Sequence, residues 1–188
     1  MFKILDEVCT PTRGSKYSAC VDLYSKKDVT IGAGETVKIP LGVCIDLSKI
    51  ENKLVIEEEI IHDELFDNIP EKIFDYQDYE EFLKSHYLLL EPRSSLRAKG
   101  LIVGSGIIDL DYKDEIKMII HNPIKSSEIL NYIRLAQNLN EESQINTDFE
   151  IKKGDKIAQI TLLEHKSYLF GIDTDEERKG GFGSTGSK

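Results

Sequence analysis

GIIDLDYKDEIKMIIHN, residues 106–122, holds an apolar strand ending at Asp109, a hairpin turn carrying Tyr112, and a β-branched strand from Glu115 to His121. Working outward, Met1 to Ile4, Ala19 to Tyr24, Val37 to Ile45, Tyr87 to Leu90 and Lys156 to Leu163 have the same character: short, β-branched or alternating, and bounded by turn residues. IGAGE at 31–35, KKGD at 152–155 and the glycines at 100, 104 and 106 supply the turns. Many short strands without crossover helices between them predict an antiparallel sandwich or barrel.

Two segments break the pattern. Residues 51–86 (ENKLVIEEEIIHDELFDNIPEKIFDYQDYEEFLKSH) hold twelve Asp and Glu against three Lys and no glycine. Ile60, Ile61 and Leu65, then Tyr79, Phe82 and Leu83, fall at helical spacing, Asp78 with Glu81 resembles a capping pair, and Pro70 separates two short helices. This acidic insertion reads as a solvated helical excursion packed on the domain, with a protein partner surface as the alternative. The second stretch, about 125–146, places Ile129, Leu130, Ile133, Ala136 and Leu139 on a helical period after Ser126 and Ser127. The chain therefore reads as an all-β core with two helical insertions.

The 188 residues suffice for one ordinary domain, and a 40% hydrophobic, 31% charged composition can fill its core. A formal charge of −10 argues against nonspecific binding to duplex nucleic acid or to anionic membrane, since both call for a basic face. No run reaches the ~18 apolar residues of a membrane span, and the opening MFKILDEV does not read as a signal peptide. Cys9, Cys20 and Cys44 form no CxxC or Cys/His cluster, which suits a reducing compartment, and the histidines at 62, 86, 121 and 165 lack metal spacing. These features predict a cytoplasmic or otherwise intracellular protein.

Four clusters carry chemistry. In GGFGSTGSK, residues 180–188, the glycines let successive N–H groups turn toward one anion, Ser184 and Thr185 add hydroxyls, and Phe182 offers a stacking face. Arg178 and Lys179 just before it suit a terminal phosphate, although GSTGS alone also reads as a linker. PRSSLRAKG, residues 92–100, reads as a proline-fixed turn presenting Arg93, Ser94 and Ser95, a set suited to phosphate oxygens or to a plain polar turn. Asp109 and Tyr112 bring a carboxylate and a ring into one tight turn, where the carboxylate either orients a water or is ordinary turn chemistry. Asp22 lies in a strand whose alternation allows a buried or half-buried carboxylate, and Gln159 lies in the last long strand.

Read in order, SACVDL (18–23), EPRSSL (91–96), VGSGIIDLDY (103–112) running to HN, IKKGDKIAQI (151–160) and RKGGFGSTG (178–186) resemble the five motifs of the trimeric dUTPase family. The resemblance covers the chain outside the two insertions. It implies one domain over 1–188, a jelly-roll β-barrel with a flexible C-terminal arm from about 173, a homotrimer with shared active sites, and hydrolysis of dUTP to dUMP and pyrophosphate with Mg²⁺. Such an activity limits uracil incorporation into DNA and supplies dUMP for thymidylate synthesis. By the same resemblance, Asp109 activates the attacking water, Tyr112 lies under the deoxyribose, and the backbone through Val103, Gly106, Ile107 and Ile108 to Tyr112 reads uracil. Ser94 and the N–H of Ser95 hold inner phosphate oxygens, with Arg93 and Gln159 on the phosphate chain. Asp22 holds water ligands of the magnesium. Phe182 stacks on uracil, while Arg178, Gly183, Ser184 and Thr185 close on the nucleotide.

This chain departs from the family pattern at Cys20 and Asp114, where glycine is usual, and at Arg178, which stands four rather than five positions before Phe182. A rival reading is dCTP deaminase, a family with the same fold and a similar RSSL segment. That family has a catalytic Glu three residues before the closing Asn; here the position is Ile119. A second rival is a regulatory binding protein on the dUTPase fold, acting through the acidic insertion.

Overall fold

The structure is a computed structural model, and it describes residues 1–48, 79–124, 133 and 148–172. The described strands are β1 (Phe2–Ile4), β2 (Thr12–Arg13), β3 (Val21–Tyr24), β4 (Val29–Ile31), β5 (Thr36–Pro40), β6 (Val43–Ile45), β7 (His86–Pro92), β8 (Ile102–Val103), β9 (Gly106–Asp109), β10 (Lys117–His121), β11 (Phe149–Ile151) and β12 (Lys156–Glu164). Two short helices join them, α1 (Tyr79–Ser85) and α2 (Ser94–Ala98). The largest sheet runs β2-β3-β12-β7-β9; a second runs β5-β10-β8, with the pairs β1-β6 and β11-β4 beside them. Every pairing is antiparallel, as short strands with tight connections require.

One apolar cluster joins the sheets. The large sheet contributes Leu23, Leu88, Leu90, Ile108 and Ile160; the second sheet contributes Ile39, Met118, Ile120 and Val103; β4 and β11 add Ile31 and Ile151. In β7 the alternation is complete: His86, Leu88, Leu90 and Pro92 are buried, while Tyr87, Leu89 and Glu91 turn outward. None of the described helices is long and apolar enough to cross a membrane.

The expected single strand from Val37 to Ile45 is two strands. Pro40 ends β5, and Gly42 adopts φ +65°, a left-handed turn that L side chains rarely accept. The Leu41 N–H donates to the Ile116 carbonyl at 2.9 Å, the Gly42 N–H to Glu115 Oε1 at 3.0 Å, and the Leu5 N–H to the Gly42 carbonyl at 2.8 Å. The chain thus leaves β10 and pairs with β1 instead. A Cβ at Gly42 would stand 2.6 Å from both Cβ and Sγ of the fully buried Cys9. Gly42→Ala therefore combines a clash with backbone strain and is expected to cost about 3 kcal/mol, lowering Tm by roughly 10 °C in a thermal melt.

PRSSLRAKG is likewise more ordered than the expected turn. After buried Pro92, Arg93 stays extended (φ −67°, ψ 138°), and Ser94–Ala98 form one helical turn anchored by buried Leu96. Gly100, at φ +88°, lets the chain turn away. Of the acidic insertion, only Tyr79 onward is described. Tyr79, Phe82 and Leu83 lie on α1 as their spacing predicts, Phe82 is buried against His86 (ring centroids 4.5 Å), and the helix stops at Ser85 because His86 opens β7. Ile60, Ile61, Leu65, Pro70 and Asp78 lie outside the described residues, as does the second stretch except Ile133, which is helical.

Candidate active site

Asp22 on β3, Gln159 on β12 and Glu91 on β7 stand directly opposite one another in the large sheet, and Thr12 on β2 completes the row. Partners in register point to the same side of a sheet, so these side chains share its outer face while Leu23 and Ala158 face the core. Strict alternation from Gln159 would turn Lys156 inward. A register shift between Lys156 and Ala158 opposes Lys156 to Tyr24 instead, and this bulge turns Lys156 to the side of Asp22.

The result is a charged cluster around a buried carboxylate. Asp22 is 4% exposed. Arg93 Nη1 donates to its Oδ1 at 2.5 Å, and Lys156 Nζ donates to its Oδ2 at 3.1 Å. The Lys156 ammonium also lies 5.8 Å from the centroid of the Tyr24 ring, whose hydroxyl hydrogen-bonds Thr12 Oγ1. The hydrogen bond to Asp22, followed by its charge, raises the Lys156 pKa above the usual lysine value and keeps the ammonium protonated. Arg93 and Lys156 are 37% and 46% exposed. Two half-exposed cations against one buried carboxylate leave a local positive excess in a chain of net charge −10, which suits an anion. Ser94 and Ser95 follow Arg93 on the first turn of α2 with exposed side chains, and Arg97 is held by Glu91 at 3.0 Å.

The second group is elsewhere. β9 is the outer strand of the large sheet, with Asp109 opposite Tyr87 and Gly106 opposite Leu90. Asp109 is exposed at the end of β9, and the Tyr112 N–H donates to its carbonyl at 3.1 Å, closing the turn. Ile107 is 71% exposed, whereas Val103 and Ile108 are buried, leaving their backbone as the part open to a ligand. Tyr112 packs into the core cluster, and its hydroxyl donates to the Glu115 carbonyl at 3.4 Å.

Register fixes how far apart the two groups stand. Gln159 opposes Glu91 and Asp109 opposes Tyr87, so four residues of β7 and two strand spacings separate them. At about 3.3 Å per residue and about 4.8 Å per strand, Asp109 is about 16 Å from Gln159 on the same outer face. Within one chain, Asp109 and the Arg93–Asp22–Lys156 cluster cannot touch one phosphorus atom. Arg178, Phe182, Gly183, Ser184 and Thr185 lie outside the described residues.

Among the described residues no three His, Cys, Asp or Glu converge on a metal position. Asp22 has both oxygens on cations, so it fits contact with the water shell of an ion bound elsewhere rather than direct ligation. Lys156, Tyr24, Thr12 and Glu91 were not among the residues expected from sequence; the bulge that turns Lys156 outward leaves no mark in KKGDKIAQI.

Comparison with known proteins bears on both halves. The dUTPase family profile matches residues 82–147, a span containing α1, Arg93, Asp109 and Tyr112. The deoxyuridine 5'-triphosphate nucleotidohydrolase of Candida albicans is 35% identical over 107 residues, an alignment taking in 53% of this chain and 54% of that protein, so it spans about half of each. The Candida glabrata protein of the same name is 26% identical over 182 residues, covering 94% of this chain and 88% of that protein. Among solved structures, the Staphylococcus bacteriophage 80alpha dUTPase superposes with a TM-score of 0.54 at 20% identity, covering 96% of this chain and 94% of that one. That likeness identifies the fold as the dUTPase jelly roll, as the motif order implies.

Proposed function

Since the chain belongs to the dUTPase family, we propose that it hydrolyses dUTP to dUMP and pyrophosphate at a site shared between copies of itself. The observation that carries this reading is the separation of about 16 Å between Asp109 and the phosphate-suited cluster in one chain. A second copy placing its β9 turn beside the Arg93 cluster would bring the two groups together, as in a homotrimer with composite sites.

In this reading Arg93 and Lys156, with the Ser94 hydroxyl and the Ser95 N–H, hold the phosphate chain, and Gln159 adds a donor beside them. Bound with the nucleotide, Mg²⁺ neutralises charge on the phosphate oxygens, and Asp22 meets its water shell. Asp109 from the neighbouring copy orients a water and accepts its proton as the oxygen bonds to the α-phosphorus. The bond from that phosphorus to the bridging oxygen breaks, and pyrophosphate leaves. The exposed backbone edge of β9, from Val103 through Gly106, Ile107 and Ile108, offers N–H and C=O groups to the uracil edge. Tyr112 supports the turn that meets the sugar. Phe182 stacks on the base, and Arg178, Gly183, Ser184 and Thr185 close on the phosphates.

Purified protein incubated with Mg²⁺ and, separately, dUTP, UTP, dCTP and dTTP tests the reading. Pyrophosphate and dUMP from dUTP alone is the expected result. Ammonia from dCTP would favour the deaminase instead, although Ile119 stands where that chemistry needs a carboxylate. No turnover of any of the four by folded protein would contradict the hydrolase.

A further inference from the structure

Asp22 is the one buried carboxylate among the described residues, and each of its oxygens carries a separate cation. The carboxylate sits in the middle of β3 and cannot swing out, whereas Arg93 and Lys156 reach it on long, half-exposed side chains. Resting on the dUTPase reading, we propose that Asp22 is an ion-pair latch that makes nucleotide binding depend on magnesium. The latch masks Arg93 and Lys156 from a metal-free triphosphate and releases them only to a nucleotide that brings its own cation.

The physical argument is one of partner exchange. A buried carboxylate stripped of its cations is costly, so whatever draws Arg93 and Lys156 away must replace their charge at Asp22. A metal-free triphosphate offers only more negative charge beside a carboxylate it cannot displace. A magnesium-bound triphosphate offers phosphate oxygens to the two cations and a cation's water shell to Asp22, so every group ends the exchange paired. Coupling of this kind is reciprocal: magnesium tightens the nucleotide as much as the nucleotide tightens magnesium. The bulge at Ile157 is what makes the latch two-sided, since without it Lys156 would face the core.

Titration calorimetry of the full chain with the non-hydrolysable α,β-imido analogue of dUTP, in excess Mg²⁺ and again in EDTA, reads the ratio of the two affinities. For the unsubstituted protein a ratio of about a hundredfold or more is expected. Asp22→Asn should bind the metal-free analogue about tenfold more tightly and the magnesium form more weakly, collapsing the ratio to a few-fold. Because Asp22→Asn alters a buried pair, its apo melting curve is recorded alongside. Lys156→Gln, at an exposed position, provides the second arm: it leaves Asp22 under-neutralised, so the ratio should grow severalfold, whereas a lysine serving only as a phosphate contact would weaken both affinities equally. An unchanged ratio in both variants overturns the latch while leaving the hydrolase intact. No binding by the unsubstituted protein even with Mg²⁺ contradicts the dUTPase reading and the latch with it.

Discussion

Asp109→Asn lowers kcat for dUTP about a thousandfold and leaves KM within a few-fold, because it removes only the group that takes a proton from the attacking water. The substitution keeps size and hydrogen-bonding capacity but loses the negative charge and the basicity. Asp109 is exposed at the end of β9, so Tm should stay within a few degrees, and a normal melt would assign the loss to chemistry. Steady-state release of pyrophosphate, measured beside a thermal melt, checks both halves. A variant keeping more than a tenth of the activity would remove Asp109 from the role given to it.

Arg93→Gln has the second large effect, of a different kind. The guanidinium both faces the phosphate-suited outer surface and holds Asp22 Oδ1 at 2.5 Å. Its loss should raise KM and lower kcat together, for a combined fall in kcat/KM of about a hundredfold to a thousandfold. It also leaves buried Asp22 with Lys156 alone, at a cost to stability of about 1–2 kcal/mol, softened by the partial exposure of Arg93. Arg93→Lys should restore the stability more fully than the activity, because an ammonium replaces the charge but not the fork of donors. Equal rescue of both would mean that the charge alone matters.

Sequence and structure agree where the residue pattern is long enough to carry a period. β7 and β12 alternate over most of their length, and Phe82 and Leu83 sit at helical spacing on α1. Thr12–Arg13, Val29–Ile31, Ile102–Val103 and Phe149–Ile151 are too short to show alternation and exist because longer strands pair with them. The break at Gly42 was hidden in an apolar run: Leu41 and Val43 look like strand residues, and only the contacts with Cys9 and Glu115 show why the chain turns between them. α2 is similar, since one buried leucine suffices to wind a polar segment into a turn of helix.

At the site, alternation alone indicated that Asp22 is buried, and the polar residues flanking Pro92 marked Arg93, Ser94 and Ser95. Lys156 was not legible, because a bulge changes the side a residue faces without changing its identity. Nor does the order of motifs give distances. Asp109 and Arg93 are close in sequence and joined by a single strand pairing, yet the register places them at opposite ends of β7. That register is what turns one chain into half a site.

Mixing two inactive variants tests this most directly. Asp109→Asn keeps an intact Arg93 cluster, and Arg93→Gln keeps an intact Asp109, so each carries the half the other lacks. Unfolded together in equal amounts and refolded, random assembly of shared sites should restore dUTP hydrolysis to about one quarter of the unsubstituted level. Each variant refolded alone should stay inactive. Recovery near that fraction is the predicted result; a mixture no more active than the two variants separately would show that one chain builds its whole site, contradicting the shared-site account.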